Sequence, residues 1–183
     1  MRATVLRRIR LMDRAERTVV MRASVIGRRF AVVVLTAAAG YPEVRVRAAL
    51  EHACELQLVI ADDPERERYA FRHALTRDVI YDELLHGRVR PLHRRIARVL
   101  EPMVQAGAAP LDDLAHHAWA AGDVRRGVRY NELAGDRAVA VHAGADARTY
   151  YARARGLVAV DSDAYTRLGH KLRAVETADL TER

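Results

Sequence analysis

The stretch "YAFRHALTRDVIYDELL", residues 69–85, holds the residues whose types most invite a chemical reading. His73 stands where a β-prone run gives way to a helical one, with Arg72 just before it. The first turn of a helix presents free N–H groups and the positive end of its dipole. A histidine there adds one more donor for an anion. The other reading of His73 is a residue that caps the helix or packs between it and the preceding hairpin. Other chemistry finds little to work with. The single lysine, Lys171, follows His170, so the chain has no phosphate-cradling Gly-x-x-x-x-Gly-Lys-Ser/Thr loop. Ser24 and Ser162 are the only serines, and neither lies in a Gly-x-Ser-x-Gly elbow. His116 and His117 are adjacent and point about 100° apart on a helix, while Gly87 and Pro91 separate His86 from His93. No catalytic residue and no metal ligand is assigned, and no enzyme is expected.

The elements that would position His73 read as mainly α. Val5, Ile9, Met12, Val19 and Val20 recur on a helical period over residues 3–22, and "GRRF" with Gly27 breaks it. "FAVVVLTAAAG" has strand propensity, but its alanines and closing Gly40 favour a short buried helix. A third helix starts at Pro42, with Val46, Ala49, Leu50, Ala53 and Leu56 as its apolar stripe. "QLVI" and "RYAFR", joined by the polar "ADDPERE", predict a hairpin. Three helices followed by a hairpin is the order of a winged-helix domain. From His73 a helix follows in which Leu75, Val79, Ile80, Tyr81, Leu84 and Leu85 wrap most of the circumference. It is therefore expected to be buried between two layers and to stop at Gly87. Leu92, Ile96, Val99 and Leu100 make one face of the next helix, and Arg94, Arg95 and Arg98 form its opposite, solvated face.

"EPMVQAGAAP" carries two prolines and a glycine and reads as an inter-domain connection. It divides the chain into residues 1–101, a winged-helix-like domain with following helices, and residues 102–183, a helical repeat region. In the second part Gly122 ends one helix and Asp123 caps the next. Val124, Val128, Ala134, Ala138 and Val141 continue the apolar spacing, and Gly127, Ala134, Gly135 and Ala138 allow close approach. Helices over 144–160 and 162–178 complete stacked antiparallel pairs of the TPR kind.

Half the residues are apolar and 30% are charged, a globular composition. No run is long enough to span a membrane, and the basic start lacks the apolar core of a secretory signal. The one cysteine, Cys54, excludes an internal disulfide and suits a reducing cytosol. The net charge of +7 is uneven: residues 1–60 hold 11 arginines against 5 acids, and residues 102–183 balance at 11 against 11. The basic third could face nucleic acid, an acidic protein surface or another domain.

"ASVIGRRF", "FRHALTRDVIYDELLHGRVRPLHRRIARVLE" and "LAHHAWAAGDVRRGVRYNELAGDRAVAVHAGADARTYYARA" resemble, in that order, the region after the nucleotide-binding core of bacterial STAND ATPases, the signal-transduction ATPases with numerous domains. Large LuxR-type transcriptional regulators and adenylate-cyclase-linked predicted ATPases belong to this group. The resemblance covers most of residues 10–158 and departs from the TPR pattern at Gly144. It implies a winged helix followed by a TPR-like sensor, with the nucleotide-binding domain expected before Met1. In related plant receptors the histidine of a Met-His-Asp motif touches the phosphate of bound ADP. The resemblance implies that role for His73, with Arg72 beside it.

Two functions follow as expectations. The first is a non-catalytic regulatory and protein-interaction fragment of such a switch. It would hold no cofactor itself, with ATP or ADP bound by the parent protein. Its partners would be a nucleotide-binding domain and an inducer or protein on the repeats. DNA would be reached through a separate domain, and no membrane is involved. The second is a free-standing DNA-binding winged helix using Arg45 and Arg47. Against it stand Glu43, Glu51 and Glu55 on the same helix and Asp62, Asp63, Glu65 and Glu67 at the hairpin tip, since acidic wings repel phosphate.

Overall fold

The computed structural model describes residues 2–84 and 89–181. It is mainly helical, with ten helices and a small three-stranded antiparallel sheet among the described residues. None of these helices is long and apolar enough to cross a membrane. The chain forms two compact units, Met1–Val99 and Leu100–Arg183.

The first unit opens with α1 (Arg2–Arg10) and α2 (Arg14–Ile26), where the apolar spacing predicts one continuous helix. Asp13 divides them. Its side chain accepts from the Glu16 backbone N–H at 2.8 Å, and Glu16 accepts from the Asp13 N–H at 2.7 Å. This reciprocal cap satisfies two orphan donors and starts a new helix, at the cost of ending the first. The same bond from Glu16 holds the Asp13 carboxyl below its usual pKa.

After Gly27 the chain forms β1 (Arg29–Ala31), then turns directly into α3 (Val32–Ala39). The strand takes Arg29 from the break and Phe30 and Ala31 from the start of the stretch expected to be a short helix, which begins only at Val32. Three residues are too short to show a period of two, and their pairing partner lies 40 residues further on. α4 (Glu43–Glu55) starts after Pro42, then β2 (Val59–Asp63) and β3 (Arg68–Phe71) form the expected hairpin. β3 lies in the centre: Arg29 faces Ala70, Phe30 faces Tyr69, and Val59 faces Phe71. Phe30 packs against Phe71 with ring centroids 5.6 Å apart. These rings cover a core of Val19, Val20, Leu35, Leu50, Leu58 and Ile80, all fully buried.

α5 (Ala74–Asp82) differs from its expected layer-to-layer burial. Only Thr76 and Ile80 are buried, and Leu75 is 60% exposed. The helix is only nine residues long and lays one narrow stripe on α1 and α2, so its outer apolar residues remain in solvent. It ends at Asp82; Leu85 and the expected stop at Gly87 lie outside the described residues. α6 (Val89–Gln105) buries Ile96 and Leu100 as expected, together with His93 and Ala97. It also runs through Pro102, where the sequence reads as a linker. Pro102 is on the exposed side, where water can serve the Arg98 carbonyl that a proline cannot.

In the second unit, α7 (Leu111–Ala120), α8 (Val124–Ala140), α9 (Gly144–Arg155) and α10 (Asp163–Thr181) each pack on the next. Asp123 caps α8 by accepting from the Arg126 N–H at 3.1 Å. The α8 stripe holds in part: Ala134 and Ala138 are buried as expected, as are the close-approach residues Gly127 and Gly135, and Val128 is half-buried. Val124 and Val141 are exposed, while Gly127, Tyr130, Asn131, Ala134, Gly135 and Ala138 face inward. Close approach selects small residues there. A Cβ on Gly127 would run into Leu157, and one on Gly135 into the Tyr151 ring. Asn131, fully buried, donates to the Ala115 carbonyl of α7 and the Gly127 carbonyl at 2.8 Å each. Glu101 accepts from Arg126 at 2.9 Å and from the Tyr130 hydroxyl at 2.7 Å, tying the end of α6 to α8.

Candidate functional site

His73 is the residue that caps α5, with extended backbone (φ −135°, ψ 147°), and its side chain makes no capping hydrogen bond. Its carbonyl accepts from the Thr76 N–H at 3.0 Å, which closes the first turn and leaves the imidazole exposed. Arg72 is also exposed, and its N–H donates to the Leu58 carbonyl at 3.1 Å. The N–H of Phe71 donates to the Arg28 carbonyl at 2.9 Å, which brings the approach to β1 beside the exit from β3. Arg28, Arg72 and His73 therefore cluster by backbone position around the start of α5. Among the described residues neither Arg28 nor Arg72 has an ion pair. The cluster is anchored from below. Arg77 donates to the Ser24 carbonyl at 2.7 Å, and its guanidinium lies 4.4 Å from the centre of the Tyr81 ring. Arg28 escaped the sequence reading because its neighbour in space is 43 positions away, and only strand pairing joins them.

Arg45 and Arg47 are not brought together. Two positions apart on a helix, they point about 200° apart. Arg45 is exposed. Arg47 bridges Glu43, one turn back, and Glu67 in the hairpin. Its donation to Glu67, and then to Glu43, raises its pKa above the ordinary arginine value. A guanidinium engaged by two carboxylates has no net charge to offer phosphate. The hairpin acids are partly neutralised too: Asp62 pairs with Arg29 at 3.1 Å and Asp63 with Arg66 at 3.8 Å. Cys54 is half-buried, and burial with Glu51 nearby pushes its thiol up, towards the unreactive protonated form.

The second unit holds a cavity of about 430 Å³ that sequence reasoning missed. Val139, His142, Gly144, Tyr151, Lys171 and Val175 line it. Its mainly apolar wall suits a small ligand with limited polarity. The polar side is preset by a network across three helices. The Tyr151 hydroxyl donates to Asp136 at 2.6 Å, Lys171 donates to Asp136 at 2.6 Å, and Arg167 donates to Glu132 at 2.9 Å. Burial and Asp136 push the Tyr151 phenol far above its usual pKa. Burial works against the charge on Lys171, but Asp136 and Glu132 hold the ammonium above its ordinary value. These partners lie 15 to 39 positions apart in the chain, so no local motif announces them.

No family model, no curated protein and no solved structure matches the chain.

Proposed function

We propose that the chain is a non-catalytic regulatory module of a STAND-type signalling ATPase or transcriptional regulator. In this reading the first unit is a winged helix that contacts nucleotide held by another domain. The second is a TPR-like sensor that receives an inducer or protein partner. The observation that carries the proposal is the path of the hairpin. Helix, strand, two helices and hairpin follow in order, the sheet runs β1-β3-β2, and β3 leads straight into α5 at an exposed His73. His73 has no capping bond to its own helix, so its ring remains available to a phosphate oxygen. The half-open, mainly apolar cavity in the second unit supports the sensor half of the reading. The state of the switch would follow which nucleotide the neighbouring domain holds. The alternative, a free-standing DNA-binding winged helix, is disfavoured by the engagement of Arg47 with Glu43 and Glu67.

The test begins with an immunoblot of the native organism, using an antibody against residues 110–160. The species it detects is purified, and its bound ADP is measured for wild type and His73→Ala. Loss of ADP from the variant at unchanged melting temperature is the expected result. Equal retention by both proteins would remove the nucleotide role of His73. Tight duplex binding at low salt that falls steeply as salt rises would favour the alternative.

A further inference from the structure

Arg22 in α2 and Arg95 in α6 bring their guanidiniums to one point at the end of α3. A Cβ built on Gly40 would lie 3.2 Å and 3.4 Å from Nη1 and Nη2 of Arg95, and 3.6 Å from Nη1 of Arg22. Gly40 adopts a left-handed φ of 66°, which favours glycine, and its missing side chain leaves that point open. Gly40 and Arg95 are both exposed, so the point is accessible from solution. Neither guanidinium has an ion pair or a hydrogen bond among the described residues. The Arg22 guanidinium lies 5.9 Å from the centre of the Tyr41 ring, which helps to fix its direction. Burial and the charge of Arg95 both lower the Arg22 pKa, and Tyr41 only partly opposes them.

The contrast with other arginines is direct. Arg47, Arg126 and Arg167 each meet carboxylates. Two like charges held together without a counter-charge are unfavourable unless an anion joins them. A second observation lies on the same face of α3. Thr36, one turn before Gly40, has a buried hydroxyl with no hydrogen-bond partner. Thr18, Thr149 and Thr177, by comparison, each donate to the carbonyl four residues earlier.

We propose that Arg22 and Arg95 form a binding site for a phosphoryl group, with the Thr36 hydroxyl as a third donor. A carboxylate has two oxygens, and one guanidinium fork can satisfy both. A phosphoryl group presents at least three acceptor oxygens and close to two negative charges. It therefore matches two forks that arrive from different helices. This site is independent of His73 and of the role proposed for it.

The test is titration of the purified chain with inorganic phosphate at constant ionic strength, followed by phosphorus NMR and calorimetry, with AMP in a parallel arm. Saturable binding is expected. It should weaken roughly tenfold or more in Arg22→Gln or Arg95→Gln, and by less in Thr36→Val. Arg94→Gln, exposed on the same helix, should leave binding unchanged. Tighter binding of AMP than of phosphate would identify a phosphate monoester as the ligand, and equal binding would identify the free ion. Arg95 is exposed, so Arg95→Gln carries the test if Arg22→Gln does not fold. Absence of saturable binding, or equal losses in Arg94→Gln and Arg95→Gln, would overturn the proposal.

Discussion

Gly135→Ala places two physical rules in opposition. Alanine is the better helix former by about 1 kcal/mol, and position 135 lies inside α8, so local propensity predicts stabilisation. Packing predicts the reverse. The new methyl would overlap the Tyr151 ring, whose nearest three atoms all come too close for a real Cβ. The ring cannot simply swing away: Tyr151 is 3% exposed, and its hydroxyl is held by Asp136 at 2.6 Å. Either α9 moves or that bond breaks, and overpacking of this kind costs about 1–3 kcal/mol. Subtracting the propensity gain leaves a net loss of up to about 2 kcal/mol, a fall in Tm of up to several degrees for a unit of this size. The internal control is Gly156→Ala. There the nearest atom to a new Cβ is the Ala152 carbonyl oxygen at 3.4 Å, and the backbone is right-handed, so the same substitution should be neutral or slightly stabilising. Urea unfolding followed by the fluorescence of Trp119, the only tryptophan, reports on this unit. A higher urea midpoint for Gly135→Ala than for wild type would refute the close contact between α8 and α9, and with it the geometry of the cavity that Tyr151 lines.

Three further outcomes follow from the same unit. Burial and Asp112 push Tyr150 up to about 12, above its ordinary 10.0. Its contribution to stability is therefore complete below pH 10 and should be lost as pH rises from 10 to about 12; a Tyr150→Phe chain with the same alkaline loss would contradict this. Arg167 and Lys171 hold Glu132 below its usual 4.5. That contribution is present above pH 4.5 and disappears as pH falls beneath it, so Glu132→Gln should flatten the acid limb of the stability curve. Asn131→Ala removes the side-chain bonds to the Ala115 and Gly127 carbonyls at the α7–α8 contact and should cost about 1–2 kcal/mol in urea unfolding. A loss below about 0.5 kcal/mol would show that the Asn131 bonds contribute no net stability.

Local signals in the sequence were sufficient wherever an element is specified by its own residues. Pro42 and the stripe Val46, Ala49, Leu50, Ala53 determine α4; "ADDPERE" determines the hairpin; Gly122 and Asp123 determine the turn into α8. The cap formed by Asp13 and Glu16 was equally local, and the continuous apolar spacing across it concealed the break. What the sequence could not determine is what depends on distant partners. β1 exists because Phe30 meets Tyr69 and Phe71 across a strand 40 residues away. Leu75 is left in solvent because α5 turns Thr76 and Ile80 to the core, and Leu75 falls on the side away from it. Arg47 loses its freedom to Glu67, Arg22 meets Arg95 at Gly40, and Lys171 reaches Asp136 only through folding. Helix periods and caps act over a few residues and are written in order along the chain. The state of a charge is set by whichever groups come within a few ångströms, and that proximity belongs to the tertiary structure alone.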